Sequence, residues 1–215
     1  MITVGCSFIP IPNGEAMKYI FTVLYCLVFF ACTQNTLLAK NVTKIDYIYD
    51  PGMLRPIDSQ LKIVVGELAP DFSLPSIRGD NITLKQFRGK NNVVLSFVPA
   101  AWTPVCSDQW PGYNIAQKIF DDQNAVLLGI TVDNIPTLHA WVQEMGSVWF
   151  KVLSDFWPHG EVASTYGVLR SDGTADRVLV FIDKKGVVKE VIITDINVRP
   201  ELEDLVDALK KTNVN

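Results

Sequence analysis

The sequence predicts an α/β fold, a central mixed β-sheet flanked by helices. Three observations point there. Val93–Val98 (VVLSFV) and Ala125–Val132 (AVLLGITV) are short, continuously apolar runs, the pattern of central strands covered on both faces. Helical stretches alternate with strand candidates through the middle of the chain. Late in the chain, Val178–Asp183 and Val187–Thr194 are strands joined by Lys184-Lys185-Gly186, a hairpin signal.

The remaining elements follow in order. Phe72-Ser73-Leu74 and Ile82-Thr83-Leu84 are short strand candidates around the turn Arg78-Gly79-Asp80. Residues 104–121 read as a helix that Pro111 and Gly112 should kink or break. Ile135–Met145 is a helix and Val152-Leu153 a short strand. Pro158–Tyr166 is a helix with its proline in the first turn. Pro200–Lys211 closes the chain as an amphipathic helix. The order β-β-β-α-β-α-β-α-β-β-α is that of the thioredoxin-like fold, which by itself carries no function.

The 215 residues, 48% hydrophobic, suffice for one well-buried domain with chain to spare. That domain is expected over 62–215. Residues 40–61 are expected to be a linker or irregular N-terminal arm, because Pro51, Gly52 and Pro56 break regular structure. The run 19–32 (YIFTVLYCLVFFAC) is a continuous apolar stretch but short for a bilayer span, which takes roughly twenty residues. It fits the core of a secretory signal peptide opened by Met17-Lys18. Residues 1–16 lack basic side chains, so translation is expected to start at Met17. Phe29-Phe30-Ala31-Cys32 resembles a lipoprotein signal that would leave Cys32 lipidated; cleavage after Thr33 or Ala39 is the other option. Both place the domain in the cell envelope, as a periplasmic protein or anchored to a membrane through Cys32.

Of the four cysteines, only Cys106 lies in the predicted domain. A lone thiol is a small buried hydrophobe or a reactive group. Its surroundings favour reactivity. A buried strand ends near Val98 and a helix begins near Pro104, which puts Cys106 in the first helical turn. There unpaired N–H groups and the helix dipole favour a thiolate. Thr103, one turn earlier, can cap the helix and can reach the sulfur or an oxygen bound near it. Pro99 can shield the sulfur from water and fix the loop. The residues Thr103-Pro104-Val105-Cys106 stand where a dithiol enzyme would have Cys-X-X-Cys.

The pattern Pro99-X-X-X-Thr103-X-X-Cys106 resembles the signature of the peroxiredoxins, the alkyl hydroperoxide reductase/thiol-specific antioxidant family. The resemblance covers about residues 62–212. It is supported by Gly66-X-X-Ala69-Pro70-Asp71-Phe72 and by Arg177-Val-Leu-Val-Phe181-Ile-Asp183. Leu153-Ser-Asp-Phe-Trp-Pro-His-Gly160 is similar to the AhpE-like one-cysteine branch. The resemblance implies that Cys106 attacks a hydroperoxide and becomes a sulfenic acid. It implies that Thr103 hydrogen-bonds peroxide and sulfur, and that Arg177 supplies a fixed positive charge beside the thiolate. Such a charge also stabilises a transition state in which negative charge moves onto oxygen. Two positions depart from the family. Gln109 stands where a glutamate usually pairs with the arginine, and Trp102 replaces the commoner phenylalanine and is expected to wall the pocket.

The domain has no second cysteine, so an external thiol, small or a thioredoxin- or glutaredoxin-like protein, is the expected reductant. A homodimer is implied by the resemblance alone. The alternatives are a thioredoxin-like thiol-disulfide oxidoreductase and a non-enzymatic redox-sensing or binding module. A net charge of −4 gives no basic surface for nucleic acid. No cofactor or metal is expected: His139 and His159 are too few for a typical zinc cage with one cysteine.

Overall fold

Six consecutive residues of one strand are all buried, and the sheet is built outward from that strand. The computed structural model describes residues 47–212. The expected signal region, Cys6, Cys26 and Cys32 lie outside the described residues. The central strand is β3 (Asn92–Phe97). It pairs in parallel with β4 (Ala125–Thr131), which pairs in parallel with β5 (Lys151–Ser154). On its other side β3 pairs antiparallel with β6 (Arg177–Ile182), which pairs antiparallel with β7 (Val188–Thr194). The order β5-β4-β3-β6-β7 is the mixed sheet the sequence predicts. A separate hairpin joins β1 (Ser73–Pro75) to β2 (Asn81–Thr83).

Strand alternation sends side chains to two cores. One face carries Leu95, Phe97 and Val180 and is covered by the β1–β2 hairpin and by α4 (Glu161–Tyr166). The other carries Val94, Val98 and Leu179. It is covered by α1 (Pro104–Gly112), α3 (Ile135–Glu144) and α5 (Leu202–Thr212). Burying each Val, Leu or Phe is worth roughly 1.5–3 kcal/mol. Two faces of such residues explain why the central strands read as unbroken apolar runs.

The stretch expected as one helix over 104–121 is interrupted. α1 ends at Gly112, a 3₁₀ turn spans Tyr113–Ala116, and α2 covers Gln117–Asp122. Pro111 removes one helical N–H, which accounts for the break. The expectation for α4 was less accurate. It starts at Glu161, so Pro158 is outside it. Gly160 turns the chain at φ +62, and the Asp155 carboxylate accepts the N–H groups of Val162 and Ala163 at 3.1 and 2.8 Å.

Residues 48–61 have no regular secondary structure, yet they are tied to the sheet. The N–H groups of Asp58 and Ser59 donate to Asp176 Oδ2 at 3.0 and 2.8 Å. Ile196 N donates to the Pro56 carbonyl at 3.0 Å.

Candidate active site

β3 delivers the chain into a loop whose conformation is fixed from both sides. Ala101 N donates to Asp133 Oδ2 at 2.8 Å. Trp102 adopts φ +61, a left-handed conformation that costs a non-glycine residue on the order of 1 kcal/mol or more. Thr103 then takes extended angles at the N-cap of α1, and its carbonyl accepts the first helical bond from Ser107 N at 3.0 Å. Pro104 occupies the first helical position, where its missing N–H costs nothing. Cys106 falls in the first turn and is fully buried.

The structure brings Arg177 to this turn. Arg177 and Leu179 share one face of β6, the face that α1 covers. Arg177 is 1% exposed, and its Nη2 lies 3.5 Å from Cys106 Sγ. Nη1 donates to Gln109 Oε1. Nε and Nη2 donate to the Ile196 carbonyl at 3.3 and 2.9 Å. Among the described residues no carboxylate pairs with this guanidinium. Asp176, its chain neighbour, is taken by a buried ion pair with Arg170.

Gln109 is held by the other half of its amide. Nε2 donates to Tyr113 Oη at 2.7 Å and lies 3.5 Å from Ser96 Oγ. Ser96, on the same sheet face, also accepts from Trp110 Nε1 at 3.2 Å. Burial pushes the Tyr113 phenol up to about 12, so it stays neutral and available to the amide. Gln109 therefore links Arg177 to the sheet without adding a negative charge. α1 can lie this close because β4 carries Gly129 beneath it: a Cβ there would stand 2.7 Å from Trp110 Cζ2.

A cleft of about 290 Å³ opens over this turn, lined by Pro99, Thr103, Pro104 and Arg177, by Ile196–Asn197 and by Asp50–Leu54. Cys106, fully buried, does not line it. Two side chains differ from expectation. The Thr103 hydroxyl donates to the Ala100 carbonyl at 2.9 Å and makes no cap bond to the helix. Trp102 does not line the cleft; it is partly buried and packs against the core on the sheet face that α1 covers. Ile196, Asn197 and Asp133 escaped sequence reasoning altogether. His159 Nε2 bonds the Gly173 carbonyl at 2.7 Å and is structural.

Residues 65–191 match the AhpC/TSA family. The chain belongs to that family. It is a peroxiredoxin, a thiol-dependent peroxidase. Alkyl hydroperoxide reductase E of Mycobacterium tuberculosis is 36% identical over 126 residues, 58% of this chain and 82% of that protein. The putative peroxiredoxin ycf42 of Pyropia yezoensis is 32% identical over 154 residues, 68% of this chain and 76% of that one. Among solved structures, reduced Plasmodium vivax 2-Cys peroxiredoxin superposes with a TM-score of 0.65 at 26% identity, covering 69% of this chain and 81% of that one. A peroxiredoxin acts on hydroperoxides and is returned to its reduced state by a thiol. In this one, Pro99, Thr103, Cys106 and Arg177 gather around a single helical turn.

Proposed function

We infer that Cys106 completes its cycle as the only redox thiol of the domain, with an external thiol as reductant. The supporting observation is that Cys106 is the one cysteine among the described residues. The Cys106 thiolate attacks one oxygen of a hydroperoxide. An S–O bond forms, the O–O bond breaks, and the second oxygen leaves as water or an alcohol after taking a proton. Sulfur is oxidised to sulfenic acid and the peroxide is reduced. Arg177 Nη2 stands where negative charge passes from sulfur to oxygen and can stabilise both. Thr103 Oγ1, oriented by its bond to Ala100, keeps acceptor capacity for a peroxide O–H. An incoming thiol then forms a mixed disulfide with Cys106 and releases water, and a second thiol displaces it.

Mass spectrometry after one equivalent of peroxide tests this. A dimedone adduct on Cys106 is expected; an intramolecular disulfide to Cys106 would contradict it. Export remains part of the same proposal, on the strength of the apolar run 19–32. Fractionation of cells making the full chain checks it, with recovery in the cytosol as the contrary result.

A further inference from the structure

One wall of the cleft comes from chain that precedes the family match. Asp50–Leu54 lines the cleft, whereas the match begins at residue 65. This segment is pinned at both ends. Tyr49 N donates to the Trp102 carbonyl at 2.8 Å, which ties one end to the active-site loop itself. At the other end the Asn197 amide grips the backbone of Leu54 twice. Leu54 N donates to Oδ1, and Nδ2 donates to the Leu54 carbonyl, both at 2.9 Å. Asp195 Oδ1 holds Asn197 in turn, accepting from its N and Nδ2 at 2.9 and 2.7 Å. Between the pins Gly52 turns at φ +71 with its N–H on Asp50 Oδ1 at 2.9 Å.

Irregular chain without such ties would fray; with them it presents its side chains at a fixed place. What it presents is mostly apolar, namely Pro51, Met53 and Leu54, beside the Asp50 carboxylate that holds Gly52 N. Met53 lines the cleft while 85% exposed, so its unbranched thioether is free to pack on whatever enters. The volume matters too. About 290 Å³ is far more than the smallest peroxide needs, since a water molecule fills roughly 30 Å³. It approaches the lower end of small-molecule sites, about 300 Å³.

We propose that the Asn197-pinned segment Asp50–Leu54 is the specificity-determining wall of this peroxidase, with Met53 packing on the organic group of an alkyl or aryl hydroperoxide. The inference rests on the peroxidase reading of Cys106 and adds which residues choose among its substrates. Asn197 acts as a positioning residue, through Leu54.

The test uses the full chain in single turnover. Loss of the Cys106 thiol is followed by mass spectrometry of its peptide, once with cumene hydroperoxide and once with hydrogen peroxide. The readout is the ratio of the two second-order rate constants. Met53→Asp is expected to lower that ratio about tenfold, the scale of a lost apolar contact in a specificity pocket. Met53→Leu should keep the ratio, and Asn197→Ala should lower it in the same direction as Met53→Asp. Met53 is exposed, so its variants do not threaten folding. An unchanged ratio for Met53→Asp, in a protein whose Cys106 still reacts, overturns the assignment and leaves the peroxidase reading standing. No thiol loss in the wild type with either peroxide overturns both.

Discussion

Arg177 Nη2 lies 3.5 Å from Cys106 Sγ, and among the described residues no carboxylate shares that guanidinium. Its other partners are the Gln109 amide oxygen and the Ile196 carbonyl, both neutral. A buried cation with neutral partners leaves most of its field for the sulfur, and its removal should be felt at the chemical step.

Arg177→Met should lower the second-order rate of Cys106 oxidation by roughly 10²–10³, the usual cost of losing a preorganised donor at a developing charge. Arg177→Lys should recover little, because an ammonium cannot reach Sγ, Gln109 and Ile196 at once. Stopped-flow peroxide oxidation gives the rates, and circular dichroism confirms the fold.

Gln109→Glu puts a carboxylate where the amide oxygen now accepts from Arg177. Pairing draws the guanidinium's field toward that carboxylate, a loss at sulfur on the order of 1 kcal/mol. The rate of Cys106 oxidation at neutral pH should fall about fivefold. A faster variant in the same stopped-flow assay would show that the amide serves only to order Arg177.

Gly129→Ala tests how α1 is seated. The new Cβ would stand 2.7 Å from Trp110 Cζ2 and 3.0 Å from Phe150 Cε2, and both rings are buried. Overpacking of this kind costs about 1–3 kcal/mol, to be read from urea unfolding. Peroxide reactivity should fall as well, since Trp110 and Cys106 share the helix.

Alkaline pH should weaken the fold through Tyr113. Its phenol is pushed up to about 12 in the folded state, against about 10 in the unfolded chain. The folded state keeps a proton that the unfolded chain releases. Stability from the neutral phenol is therefore complete below pH 10 and is lost as pH rises toward 12. The loss amounts to roughly 2–3 kcal/mol. Urea unfolding at pH 9 and pH 11.5 should show it, with a smaller drop for Tyr113→Phe. Some drop should persist in that variant, because burial also raises the Tyr166 phenol.

The order of elements was legible because β3 and β4 are covered on both faces and so read as strongly apolar runs. The break after α1 was legible from Pro111. The start of α4 was not. Pro158 mimics a first-turn proline, but a left-handed Gly160 and the Asp155 carboxylate set the boundary three residues later. Within the site, Cys106 and Thr103 are marked by their spacing on one helical turn. Arg177 needed the family resemblance, since its side chain arrives from a strand 71 positions away. Asn197 bonds Leu54 across 143 positions through a plain amide, and no local pattern announces it. The Thr103 hydroxyl was misplaced because sequence cannot tell a cap bond from a bond back to the Ala100 carbonyl.

Peroxide chemistry in this protein is expected to reside in Cys106. Peroxide consumption by the full chain and by Cys106→Ser, each supplied with a small-molecule dithiol, tests it most directly. The wild type should turn over peroxide and the variant should show none above background. Equal consumption by both would contradict it.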